Sequence, residues 1–174
     1  RIVAIARRLG DDNLLGEGLR LLGSGQFAKG DLGVAMRTYE EAITVTARTP
    51  KLEPLAQTYL TLGRVYRAHG DDEGALQRYR KAIEILAPTS ERYTIVEATN
   101  AAAIALGSMG RHPEALTMYE RGLALARESS NQRLIDFMEG NLATGLVEAG
   151  QSDRAIPALE AIIAKEKDQR LLAY

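Results

Sequence analysis

Two histidines, His69 and His112, are the side chains best suited to acid–base chemistry, because imidazole titrates near neutral pH. Each stands beside a glycine-containing turn signal, which predicts that both lie at the outer edge, in the tight turns between helices. The sequence groups no serine with a histidine and a carboxylate, gives the histidines no metal-ligand spacing and contains no cysteine. It therefore predicts no enzyme and no metal site, with solvated or capping roles for both histidines.

The tripeptide Gly23-Ser24-Gly25 carries the first two glycines of a dinucleotide-binding fingerprint. That fingerprint follows a strand, whereas this tripeptide lies inside a predicted helix. The chain also has no G-x-x-x-x-G-K-[ST] loop for a nucleotide phosphate. The glycines are therefore interpreted as packing residues, and no cofactor is predicted.

A pair of arginines, Arg64 and Arg67, is spaced by one helical turn. Together they can hold a carboxylate or an acidic peptide through charge-assisted hydrogen bonds. The alternative is a solvated helix face on which the arginines make ion pairs within the chain.

Two asparagines and two phenylalanines are further binding candidates. Asn100 and Asn141 can both donate to and accept from the backbone of an extended peptide, and their alternative is ordinary exposed polarity. Phe27 and Phe137 can anchor a ligand side chain, and their alternative is contact with a neighbouring repeat.

The elements that position these side chains repeat every 40 residues. The markers of the period are four glycines, each followed five residues later by an alanine: Gly30, Gly70, Gly110 and Gly150, then Ala35, Ala75, Ala115 and Ala155. A fixed period along a whole chain predicts one structural unit copied in series, in which each copy needs its neighbours to bury its apolar face.

Each copy reads as two antiparallel amphipathic helices. In the second copy, helical spacing relates Tyr59, Leu62, Gly63 and Tyr66 before the turn, and Ala75, Tyr79, Ala82 and Ile83 after it. The first copy repeats the marks at Leu19, Leu22, Gly23 and Tyr39, all expected to be buried. Small residues at 23, 63, 103 and 143 are expected to let the paired helices approach, with Tyr39, Tyr79 and Tyr119 filling the core beside them.

The predicted fold is an all-α solenoid that spans residues 1–174 as a single domain. The expected parts are a partial helix at 1–9, repeats at about 11–50, 51–90, 91–130 and 131–167, and the start of a further helix at 168–174. Both ends look cut from a longer array, because neither shows the polar face of a capping repeat.

The pattern L-G-x-x-Y, then G, then A-x-x-x-Y-x-x-A resembles the tetratricopeptide repeat (TPR) over essentially the full chain. The period is 40 residues rather than the common 34, as in MalT-type regulators, signalling ATPases with repeat arms and G-protein adaptor proteins. HEAT and armadillo repeats share the period but lack this glycine–alanine–tyrosine pattern. The resemblance implies a right-handed superhelix whose concave groove is lined by the first helix of each pair.

The groove face that the resemblance implies lies opposite the buried set on each first helix. It consists of Glu17, Arg20, Ser24, Phe27, Gln57, Leu60, Arg64, Arg67, Glu97, Asn100, Ile104, Phe137, Asn141, Thr144 and Glu148. The expected function is a non-catalytic scaffold that binds a protein or peptide partner. The alternative is the ligand- or peptide-sensing arm of a bacterial transcription regulator or signalling ATPase, with a role in signal transduction.

Charge and hydropathy narrow the expected partners. The chain has 22 Lys+Arg against 23 Asp+Glu, a formal net charge of -1, which offers no general field for nucleic acid. No apolar run is long enough to cross a bilayer and no cysteine is present, so we expect a cytoplasmic protein with no membrane contact. Apolar faces at both ends of the array predict homo-oligomerisation as a further option.

Overall fold

The computed structural model describes residues 1–171, which fold into helices joined by short turns. The helices are α1 (Ile2–Leu9), α2 (Asp12–Ala28), α3 (Leu32–Thr46), α4 (Leu52–Ala68), α5 (Asp72–Leu86), α6 (Arg92–Ser108), α7 (His112–Glu128), α8 (Gln132–Glu148) and α9 (Ser152–Leu171). After the single helix α1 they form four consecutive pairs, from α2 with α3 to α8 with α9. The predicted all-α solenoid of helix pairs is confirmed.

The periodic glycines end the first helix of each pair. Gly70 has φ 88°, and the next amide, Asp71 N–H, reaches back to the Tyr66 carbonyl at 3.0 Å. The left-handed conformation carries a steric penalty for residues with a side chain, which explains the repeated glycine. The Asp71 carboxylate then accepts a hydrogen bond from Gly74 N–H at 2.7 Å and caps α5.

The close approach of paired helices depends on glycine facing tyrosine. A Cβ atom at Gly63 would lie 2.4 Å from Cε1 of Tyr79, and one at Gly23 would lie 2.9 Å from Cε2 of Tyr39. All three regular tyrosines, including Tyr119, are buried as expected. The size complementarity between glycine and tyrosine therefore sets the spacing within the first two pairs.

The core is a row of contacts between neighbouring helices. One cluster of buried side chains runs from Ala56 to Ala155, and two smaller clusters lie towards the N-terminus around Tyr39 and around Leu19. This is the arrangement expected when each repeat packs only on its neighbours.

Two expectations about the ends are wrong. Leu22 was assigned to the buried face but is 47% exposed, because the preceding helix α1 has only 8 residues, too few to cover α2 as a full helix would. At the other end, α9 continues through Asp168 to Leu171, so no new helix starts at 168. Residues 172–174 of that expected helix lie outside the described residues.

Candidate functional site

The first helices of the pairs line the inner side of the stack. Within residues 1–171, α2 touches α4, α4 touches α6 and α6 touches α8, whereas no such contact joins α3, α5, α7 and α9 to one another. Closer spacing on one side means that the stack curves towards that side. Helices α2, α4, α6 and α8 thus form a concave face, as the family resemblance implied.

The centre of this face holds a cavity of about 570 Å³, which we call the central cavity. Side chains from five helices line this cavity: the four helices of the concave face and α5. The cavity brings together seven of the predicted groove residues: Phe27, Arg64, Arg67, Glu97, Asn100, Ile104 and Phe137. Phe27 and Phe137 come from helices three repeats apart in sequence order, so only the curvature of the stack places them around one space.

Six further predicted residues line two smaller cavities on the same face. Glu17, Arg20 and Gln57 line an N-terminal cavity of about 140 Å³. Asn141, Thr144 and Glu148 line a C-terminal cavity of about 480 Å³, which shares Ile104 with the central cavity.

Two predicted groove residues are placed differently. Leu60 is only 3% exposed and belongs to the main core cluster, so its assignment to the groove is wrong. Leu60 packs in the cluster of buried side chains that continues from α4 into α5 and α6, rather than facing the groove. The Ser24 hydroxyl lies 2.9 Å from the Tyr39 hydroxyl and shares a hydrogen bond with it, beside the cavities rather than in them.

Sequence reasoning missed several residues that line the cavities. Tyr79 and Asp72 line the central cavity, and Tyr119 lines the C-terminal one. His112 also lines the C-terminal cavity, so its predicted position at the outer edge is wrong. Asp72 and Tyr79 lie 40 residues before His112 and Tyr119, so the repeat period itself is the signal that relates these lining positions.

Charge in the central cavity is mixed. An Arg64 guanidinium nitrogen lies 3.4 Å from a Glu97 carboxylate oxygen, while Arg67 makes no ion pair with any residue among those described. Burial raises the pKa of the Tyr79 hydroxyl, and the nearby Arg67 and Arg64 oppose that rise. In the C-terminal cavity, burial and the Glu148 charge raise the pKa of Tyr119 to about 12. Both tyrosine hydroxyls are therefore neutral donors and acceptors at neutral pH.

Several buried polar atoms on the concave face have no hydrogen-bond partner. They are Oδ1 of Asn100, Oδ1 of Asp72, the Tyr79 hydroxyl and Nδ2 of Asn141; elsewhere Oε1 of Gln26 is in the same condition. The Tyr79 hydroxyl lies beside Arg67 without a hydrogen bond of normal geometry. A buried polar group left unpaired costs about 1–3 kcal/mol, so such a group on a concave face marks a place where a ligand can supply the partner.

Two other kinds of site were sought in the described part of the chain. No three histidine, aspartate or glutamate side chains there come together as metal ligands. None of the helices there combines the length and the apolar character that crossing a bilayer requires.

Comparison with sequence families identifies the repeat. Two profiles, each described as tetratricopeptide repeat, match residues 19–87 and 96–133, which together make up more than half of the chain. No curated protein sequence matches the chain.

Several solved structures of different proteins have the same fold. The nearly identical TPR-like repeats assigned to a kinesin light chain of Podosopora anserina superpose with a TM-score of 0.81 at 22% identity, covering 97% of this chain and 84% of that one. BtubC (BKLC) from P. vanneervenii gives 0.78 at 20% identity, covering 94% and 67%. The Rap conjugation gene regulator of plasmid pLS20, in complex with the Phr* peptide, gives 0.69 at 18% identity, covering 87% and 42%. At these identities the likeness shows the fold alone.

Proposed function

The chain belongs to the tetratricopeptide-repeat family, and we propose that its concave face binds an extended peptide segment of a partner protein. A scaffold for protein binding is the general role that this fold supports. The finer claim, that the ligand is an extended peptide held in the central and C-terminal cavities, depends on the side chains that line them.

Asn100 is the observation that carries the proposal. Asn100 lines the central cavity and is only 7% exposed, and its Oδ1 is buried without a hydrogen-bond donor. The equivalent position one repeat earlier is Leu60, which is buried and apolar. A leucine at 100 would avoid the cost of an unpaired amide, so the asparagine is better explained by a ligand that completes its hydrogen bonds.

Asn141 extends the same argument into the next repeat. Its Nδ2 is buried without an acceptor, and the residue lines the C-terminal cavity, which adjoins the central one at Ile104. Extended backbone presents both N–H and C=O groups, so one strand of peptide can donate to Asn100 and accept from Asn141.

The apolar rim suits side chains of such a peptide. Phe137, which is 48% exposed, and Phe27 both line the central cavity. Aromatic rings at the edge of a groove provide rigid apolar surface at low entropic cost, which is how they anchor partners in protein interfaces.

A second candidate function is the peptide-sensing arm of a regulator. The pLS20 Rap regulator, a structural neighbour, was solved with a bound Phr* peptide. This chain spans 42% of that regulator, so the proposal concerns the repeat array alone. Peptide binding would then shift an equilibrium in attached domains rather than recruit a partner.

The variant Asn100→Leu tests peptide binding, because leucine has the same branched side-chain skeleton, occurs at the equivalent position 60 and lacks the amide. Random 12-residue peptides selected on the wild-type chain would be measured against both proteins by fluorescence polarisation. We expect the variant to melt higher, by relief of the unpaired amide, and to bind about tenfold more weakly or worse, the equivalent of about 1.4 kcal/mol.

The matched control is Gln77→Leu, which removes a carboxamide from the exposed side of α5, away from the cavities. It should leave peptide affinity unchanged. Unaltered binding by Asn100→Leu, or failure of the wild-type chain to select any peptide, would refute the proposed function.

A further inference from the structure

Opposite charges stand at the two ends of the central and C-terminal cavities. Arg64 and Arg67 lie on α4 at the central cavity, and Glu148 ends α8 at the C-terminal cavity. Between them the lining is apolar or uncharged at Ala101, Ile104 and Ser108. The other charged groups facing this stretch are Glu97, which pairs with Arg64, and Asp72 at the start of α5.

The two arginines at the positive end can bind a further carboxylate. Arg67 is exposed and makes no ion pair with any side chain that the structure describes, and the Arg64–Glu97 pair is long at 3.4 Å with Arg64 46% exposed. The two guanidinium groups lie one helical turn apart, and only that of Arg64 contacts a carboxylate. A carboxylate of a ligand can therefore bind between Arg64 and Arg67.

The carboxylate at the negative end, Glu148, can likewise bind a further cation. Glu148 is exposed, makes no ion pair in the described structure and leans towards α6, where its Oε2 lies 3.5 Å from the position a Cβ of Gly107 would take. An uncompensated carboxylate at the mouth of a cavity attracts a cation.

The two ends lie at the same height across the helices. Position 147, beside Glu148, is equivalent to Arg67, because the two are separated by two periods of 40 residues. Arg67 and Glu148 therefore both lie in the last turn of their helices, α4 and α8. Packed helix axes are about 10 Å apart, which puts α4 and α8 about 20 Å apart across α6. An extended peptide covers that distance in about six residues.

We propose that the groove selects peptides that carry an acidic side chain and a basic side chain about six residues apart, the acid on Arg64 and Arg67 and the base on Glu148. This inference rests on the proposed peptide binding and adds charge order and spacing to it. Charge complementarity of this kind fixes register more than it adds affinity.

The experiment compares four fluorescent 12-residue peptide libraries with identical uncharged backgrounds. Glu and Lys are placed six residues apart in both sequence orders, since either strand direction satisfies the charges, and the comparison libraries carry Glu with Glu or Lys with Lys. At low salt we expect one Glu/Lys library to bind the full chain about threefold better than either single-charge library, with the preference reduced at high salt.

Charge reversal identifies the ends. Glu148→Lys should transfer the preference to the Glu/Glu library, and Arg64→Glu with Arg67→Glu should transfer it to the Lys/Lys library. Glu160→Lys is the matched control, because it makes the same charge change on the exposed surface of α9 and should preserve the Glu/Lys preference.

The outcomes separate the two proposals. If peptides bind but Glu148→Lys keeps the wild-type preference, or all libraries bind alike, the charge-order inference is overturned and peptide binding stands. If no library binds and none is selected by the wild-type chain, both proposals fail. Circular dichroism of each variant verifies that the helices are intact.

Discussion

Single side chains decide how closely the paired helices pack. Gly63 permits α4 to lie against the Tyr79 ring, and an added methyl group there would meet the ring at 2.4 Å. Tyr79 has no exposed surface through which to move away. The contact is therefore a fixed steric limit rather than a preference for small side chains.

Gly63→Ala should destabilise the protein by about 1–3 kcal/mol, because the overpacked ring cannot relax. Gly25→Ala is the matched control, since Gly25 lies in α2 with nothing within 4 Å of its added Cβ. In an open helical position alanine is favoured over glycine by about 0.5–1 kcal/mol, so this control should be neutral or stabilising. Urea denaturation measures both, and equal stability of the two variants would contradict the role of Gly63.

Asn100 shows how a residue can depart from its repeat. The sequence marks it as a candidate because an amide suits peptide backbone, but its cost is visible only from the structure, where its Oδ1 is buried and unpaired. The same structure removes Leu60, its equivalent one repeat earlier, from the groove.

Helix ends repeat in position but differ in how they are capped. Asp71 precedes α5 and its carboxylate accepts the Gly74 N–H at 2.7 Å, whereas Asp31, at the same place before α3, makes no side-chain capping bond. Both positions carry aspartate, yet only one of the two side chains caps its helix. The difference arises because the carboxylate must also adopt the side-chain orientation that reaches the helix.

Asp71→Ala should therefore cost about 0.5–2 kcal/mol, the usual loss for removing an N-cap acceptor. Asp31→Ala is expected to cost clearly less, because its side chain caps nothing. Thermal melts followed by circular dichroism at 222 nm compare them. A loss at Asp31 equal to that at Asp71 would show that the observed capping bond does not determine stability.

Across the stack as a whole, the core is uneven. The main cluster joins α4 to α9, while α2 and α3 depend on two small clusters and on the short α1. In a linear array, stability is the sum of repeat and interface contributions, so the part with the smaller core opens at lower free energy.

Native-state hydrogen exchange should show the amides of α2 and α3 exchanging before those of α5, α6 and α7.

The variant Leu106→Ala, which empties a fully buried position in α6, should lower the free energy of unfolding by about 2–5 kcal/mol and lower protection in the middle of the array. Leu19→Ala, also fully buried, should lower protection mainly in α2 and α3. Uniform protection along the wild-type chain would contradict the uneven core.

The sequence by itself determined the helices, the turns and the contacts of Gly23 with Tyr39 and of Gly63 with Tyr79. These are local or repeated features, because Gly30, Gly70, Gly110 and Gly150 fix the turns through their own backbone conformation. The family resemblance followed from the same pattern, and the resemblance in turn implied which side of the stack faces inward.

Only the tertiary structure decided which of those inward residues share a space. Curvature brings Phe27 and Phe137 to one cavity, while packing buries Leu60 in the main core cluster. The amount of bending accumulates from small rotations at each interface between repeats, and each rotation depends on how the side chains of two helices fit together. A pattern along the chain carries the identity of those side chains but not the angle at which they pack.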